Sequence, residues 1–297
     1  MEITFLGTGS AEMYPSLFCD CPNCLAARTA GGKNIRGNSS VMIDGDLLID
    51  LNPAAFLRAN LLGISLTGLR LLLVTHTHPD HFIPSLLKWR RVPAGQLPPF
   101  DPEITSWSAR YTPVRQLTVI GTAEAEEILR QQFPEQTAED HAMTFRSLLP
   151  GESAAEGPYR VTAVRANHGK RENFANCYII EKDGRRLLYA LDTGGFQPDM
   201  LRLIGAYRYD CVIADGTFGK KRLKTDDDDG LNGTGHMGLR ADIRLRSLLL
   251  DQGCIGADTP FVLSHLCPHF APPHDAYADE VKALGMLLAW DGMRMTV

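Results

Sequence analysis

Residues 69–81 read Leu-Arg-Leu-Leu-Leu-Val-Thr-His-Thr-His-Pro-Asp-His. A nearly continuous apolar run at Leu69–Val74 suits a strand buried on both faces, and such a strand needs layers on either side of it. Four metal-capable side chains follow within six residues. His76 and His78 stand two apart, so in an extended segment their rings project to one side, and Pro79 then turns the chain so that Asp80 and His81 approach from another direction. Imidazole nitrogens and a carboxylate suit zinc, manganese or iron. Four donors are too many for one ion that also holds water and other partners, so two adjacent ions are expected. A polar loop capping a helix is the bland alternative, and the density of donors argues against it.

The rest of the chain fits a layered protein. Strands are expected at Ile3–Leu6, Ser40–Ile43, Leu47–Ile49, Leu117–Ile120, Tyr159–Arg165, Cys177–Glu181, Leu187–Leu191, Cys211–Ala214 and Phe261–Leu263. Helices are expected at Pro53–Leu62, Phe82–Arg91, Ala123–Gln132, Gly238–Gln252 and His274–Leu284. Two strand-rich halves, each closed by helices, predict an α/β sandwich rather than a doubly wound sheet. Five prolines between Val92 and Arg115 mark an irregular surface insertion within one domain spanning 1–297. Lys220–Lys224 followed by Asp226–Asp229 reads as a solvated loop, or as a basic lip that gathers phosphate esters.

Composition narrows the setting. Thirty Lys and Arg against 35 Asp and Glu give a formal charge of −5, which argues against nucleic acid as a general partner. No apolar run approaches the roughly 20 residues of a membrane span, and no signal-like start is present, so a cytoplasmic protein is expected. The oligomeric state stays open, a homodimer included. Seven cysteines are odd in number, and Cys19, Cys21 and Cys24 crowd into six residues as C-x-C-x2-C, with Pro22-Asn23 expected as a tight turn around a common centre. That spacing suggests zinc rather than a disulfide framework. Cys177, Cys211 and Cys254 lie in apolar stretches and read as core.

His-Thr-His-Pro-Asp-His after a buried strand resembles the HxHxDH signature of the metallo-β-lactamase superfamily. The resemblance implies an α/β (α+β) fold, the αββα sandwich, with further ligands at later strand ends. His168, Asp192 and His265 each follow a predicted strand in that order. It implies that His76, His78 and His168 hold one divalent ion (zinc or manganese), that Asp80, His81 and His265 hold another, and that Asp192 bridges them. Asp50 and Asp215 match acidic positions that orient ligand histidines, although ordinary strand-end capping explains them nearly as well.

The cysteine triplet resembles the N-terminal loop of a narrower branch, the PhnP-type phosphodiesterases of phosphonate catabolism. There a structural zinc is held by three cysteines and a later histidine. His269 is the best candidate for the fourth ligand, with Cys267 and His274 as alternatives. Paired ions lower the pKa of a shared hydroxide and neutralise charge on a phosphoryl oxygen. His236, in a glycine-flanked loop before a helix, matches the family's general acid, with Asp80 in the same centre. The implied activity is hydrolysis of a small cyclic or diester phosphate, 5-phospho-α-D-ribosyl 1,2-cyclic phosphate among them. The same metal motif also resembles tRNA 3′-processing nucleases, and a pyrroloquinoline quinone pathway protein shares the cysteine loop without the full HxHxDH pattern.

Overall fold

The computed structural model describes residues 1–90, 114–135, 141–221 and 235–297. Two seven-stranded sheets carry the fold. The first orders Arg294–Thr296 (β14), Glu2–Gly7 (β1), Ser40–Ile43 (β2), Leu47–Ile49 (β3), Leu71–Leu73 (β4), Leu117–Gly121 (β5) and Met143–Ser147 (β6). The second orders Leu287–Leu288 (β13), Phe261–Ser264 (β12), Cys211–Asp215 (β11), Arg185–Ala190 (β10), Asn176–Lys182 (β9), Tyr159–Arg165 (β8) and Ser153–Glu156 (β7).

Side-chain alternation separates three apolar layers. Leu71 and Leu73 of β4 join Ile49, Tyr178, Tyr189 and Ile213 between the sheets, where all are fully buried. Leu72 and Val74 point the other way, onto Ala55 and Ala59 of helix α2 (Pro53–Leu61) and Ala125 and Leu129 of α3 (Ala123–Gln132). The outer face of the second sheet packs Leu188, Ala190 and Val212 against α4 (Pro198–Gly205), α5 (Leu239–Asp251) and α6 (His274–Ala283), with Ala27 of α1 (Pro22–Ala30) in the same layer. The result is the expected αββα sandwich. Truncating one of these leucines to alanine removes about 2–5 kcal/mol. Helix starts are local: Asn52 Oδ1 accepts from the Ala55 amide at 2.9 Å and Thr122 Oγ1 from that of Ala125 at 3.3 Å.

Three local expectations change. Phe82–Arg91 is not an α-helix: Pro84–Trp89 forms a 3-10 stretch, and Ile83 donates its amide to Leu51, bridging the two segments instead. Pro22-Asn23 is not a tight turn but the first turn of α1, where proline's fixed φ is well suited. Strands β6, β7, β13 and β14 and helices α1 and α4 were not expected. The insertion at 92–115 falls largely on residues 91–113, outside the described residues, as do Arg222–Lys224 and Asp226–Asp229. Its flanks meet, with Arg90 Nη2 donating to the Arg115 carbonyl at 2.5 Å. Among the described residues no helix is long and apolar enough to cross a membrane.

Candidate metal centre

Strands β3, β4, β5 and β6 run parallel, and so do β10, β11, β12 and β13. Two antiparallel steps through β9 set β8 in the same sense as β10. Chemistry-bearing residues follow the C-terminal ends of these strands: Asp50 after β3, His76 after β4, His168 after β8, Asp192 after β10 and His265 after β12. Asp50, Asp192 and His265 adopt left-handed backbone conformations, with φ of 61°, 50° and 63°. That region is uncommon outside glycine and clusters where a site over-determines the backbone.

Two donor groups form. In the first, His76 Nε2 lies 2.9 Å and His168 Nε2 3.3 Å from His78 Nδ1. In the second, His81 Nε2 lies 3.2 Å from both His265 Nε2 and Asp80 Oδ2. Asp192 spans the two: Oδ2 is 2.9 Å from His81 Nε2 and 3.3 Å from His265 Nε2, while Oδ1 is 3.8 Å from His168 Nε2.

The opposite edges of the rings are spoken for. His168 Nδ1 lies 2.9 Å from the Gly235 carbonyl, which only accepts, so Nδ1 carries the proton and Nε2 a lone pair. His81 Nδ1 donates to Asp50 Oδ2 at 2.6 Å. Thr75 gives its hydroxyl proton to Asp50 and thus accepts from His76 Nδ1 at 3.0 Å. Thr217 Oγ1 lies 2.7 Å from His265 Nδ1. Lone pairs therefore converge on lone pairs, beside an Asp192 Oδ2 that is buried without a hydrogen-bond partner. Protons answer only some of these contacts, whereas a divalent cation in each group answers all of them. The donor set fits two metal ions.

His236 sits at the rim. Its Nδ1 lies 3.0 Å from Asp215 Oδ2, which leaves Nε2 for the cavity. Burial opposes charge on this ring, but Asp215, helped by Asp192, outweighs it and raises the pKa to about 9. A cavity of about 320 Å³ opens over the centre, lined by His78, Asp80, His168, Asp192, His236 and His265 and walled by Ser10, Glu12, Phe218, Cys267 and Phe270. Lys221, the last described residue of the basic run, lies over the Phe218 and Phe270 rings, 4.8 and 4.3 Å from their centroids, whereas Lys220 pairs with Glu280.

The cysteines form a second cluster. The sulfurs of Cys19, Cys21 and Cys24 lie within 4.8 Å of one another, and His269 Nδ1 is 4.0 Å from Cys19 Sγ. Of the three candidates for a fourth donor, His269 is the one brought here. Cys267 walls the cavity over the histidine centre instead, and His274 packs on Trp290 beside Arg36. Three sulfurs and one imidazole fit a tetrahedral zinc site. Burial raises the Cys21 thiol, yet the amides of Cys24 and Asn23 and the neighbouring thiols overcome it and bring its pKa to about 7, as expected at a helix N-terminus. Burial pushes Cys24 up to about 12. Cys177, Cys211 and Cys254 are buried as expected.

Sequence reasoning missed Thr75, Thr217 and Glu12. Thr75 directly precedes His76 and its position was a usable signal. Thr217 and Glu12 acquire their partners only through folding.

The model of the Beta-lactamase superfamily domain matches residues 46–249, more than half of the chain, which belongs to that superfamily. Its members are mostly metal-dependent hydrolases, and the fold implies divalent metal ions. No curated protein matches the chain in sequence. Among solved structures, a diphosphatase from the PhnP family is similar at 19% identity and a TM-score of 0.69, covering 100% of this chain and 97% of that one. Zinc-bound PqqB from Methylobacterium extorquens is similar at 18% identity and a TM-score of 0.67, covering 100% of both. The short form of human tRNase Z reaches 17% and 0.61, covering 100% of this chain and 99% of that one. At these identities the likeness concerns the fold.

Proposed function

We propose that the chain is a binuclear metal-dependent phosphodiesterase acting on a small cyclic or diester phosphate. One observation carries the reading: the Asp215–His236 pair faces the same cavity as two donor groups that share Asp192. His76, His78 and His168 would hold one zinc or manganese ion and Asp80, His81 and His265 the other, with Asp192 within reach of both groups. When bound, such a pair supplies Lewis acidity toward an anionic ester and acidifies a water nucleophile.

The chain's own residues do the rest. Asp50, Thr75, Thr217 and the Gly235 carbonyl fix the ligand rings, so little reorganisation accompanies binding. Asp215 holds Nδ1 of His236 and favours its charged form, so Nε2 presents a proton to the departing alkoxide, a contribution of about 10²–10⁴ in rate. Asp80 completes the second group and helps place the ester. A cavity of about 320 Å³ suits a small ester such as 5-phospho-α-D-ribosyl 1,2-cyclic phosphate. The similar PhnP-family protein is a diphosphatase, which supports phosphate chemistry. The cysteine cluster, holding a structural zinc, positions the loop that carries His265.

The test is direct. Metal-loaded protein is assayed with bis(p-nitrophenyl) phosphate, with the ribosyl cyclic phosphate and with a tRNA precursor. Cleavage of either small diester with the tRNA untouched is expected. Failure on both small diesters overturns the reading, and cleavage of tRNA alone favours the nuclease instead.

A further inference from the structure

The segment His265–Phe270 serves both clusters within six residues. His265 enters the catalytic centre, Cys267 and Phe270 wall its cavity, and His269 turns away to the cysteines. Opposite runs the N-terminal loop. Ser10 donates its amide to the Leu266 carbonyl at 3.1 Å and Leu266 donates to Thr8 at 2.9 Å, which zips the two loops at one end. At the other end His269 Nε2 lies 2.8 Å from Glu12 Oε2. A carboxylate only accepts, so Nε2 is the protonated nitrogen and Nδ1, facing the sulfurs, holds a lone pair. Glu12 also borders two cavities: the catalytic one, and one of about 590 Å³ beside Cys19 and His269.

We propose that Glu12 is a positioning residue that couples the cysteine cluster to the catalytic cavity: its carboxylate aims His269 at the thiolates, while the same side chain forms part of the substrate wall. The fit of a substrate then depends on a cluster that takes no part in the chemistry. The cavity's role rests on the phosphodiesterase reading; the clasp itself does not.

Two variants separate the acceptor from its bulk. Glu12→Gln keeps an oxygen that accepts from Nε2, whereas Glu12→Met keeps the stem and loses it. Zinc-loaded protein is alkylated with iodoacetamide and the rate at each cysteine is read by peptide mass mapping. Glu12→Met is expected to speed alkylation of Cys19 and Cys21 by about tenfold, the scale of a lost partner to a ligand histidine. The rate at Cys267 rises with them, and KM for bis(p-nitrophenyl) phosphate increases. Glu12→Gln stays near the parent protein. His269→Ala reproduces the Glu12→Met pattern, and the double variant adds nothing further.

Equal behaviour of the Met and Gln variants overturns the clasp. Opening of the cluster in His269→Ala with Cys267 and KM unmoved overturns the coupling. A parent protein that cleaves no diester sinks the phosphodiesterase reading alone, because the Cys267 rate still decides the coupling.

Discussion

The two clusters solve different problems with different materials. The histidine and aspartate centre is deep, built of imidazoles and carboxylates from the ends of two sheets, with His76 and His81 fully buried. The cysteine cluster lies at the edge, on a loop and the first turn of α1, with Cys19 and Cys21 partly exposed. In the centre four of the five histidines have a second partner on the far edge of the ring, and a cavity opens above it. In the cysteine cluster Glu12 does the same for His269 and backbone amides reach the sulfurs, while four donors leave no position for a substrate. Open coordination with rigid support belongs to chemistry, whereas closed coordination at the edge of the fold belongs to tethering.

The sharpest way to break this contrast is Asp192→Ala. Metal analysis should show the catalytic ions lost, and hydrolysis should fall by on the order of 10³-fold or more. If activity survives, Asp192 is not shared. His236→Ala should come next, with kcat down by about 10²–10⁴ and both ions retained. Its effect should shrink on esters of acidic phenols, whose departure needs no proton; an equal loss on all esters would remove the general acid from the scheme. Asp50→Asn should reduce activity or metal affinity by about 10–100-fold, because the His81 ring loses its carboxylate acceptor and Thr75, which holds the His76 ring, is loosened with it.

On the other side, Cys24→Ser should forfeit zinc-linked stability, about 4 kcal/mol when free zinc stands a thousandfold above its Kd. Urea denaturation with and without zinc measures this, and a zinc-independent midpoint in the parent protein would refute it. The smallest effect belongs to His274, which neither cluster uses. Burial, reinforced by Arg36, lowers its pKa to about 4. Below the ordinary value near 6.5 the unfolded chain takes up a proton that the native state refuses, so stability falls between about pH 6.5 and 4, by about 2–3 kcal/mol at most. His274→Gln should flatten that part of the profile; an unchanged slope would assign the acid sensitivity to the clusters.

What could be read from sequence follows from how each signal is encoded. His76, His78, Asp80 and His81 stand together, and His168, Asp192 and His265 each follow an apolar strand, so periodicity and order located them. Strand β7, Ser-Ala-Ala-Glu, has no apolar alternation and takes its structure from pairing with β8. The Pro84 segment had a helix-like pattern, yet the pairing of Ile83 with Leu51 captured its backbone. Glu12 and His269 are 257 residues apart. A contact of that kind exists only once both sheets are in place.

His81 and His265 stand 184 positions apart yet 3.2 Å from each other. The first sheet alone presents half a centre, and a nascent chain lacking β12 lacks the last donor. Full-affinity metal capture therefore requires both sheets to have docked. On the proposed reading, the centre serves as a check on its own assembly, because neither sheet alone carries the full donor set.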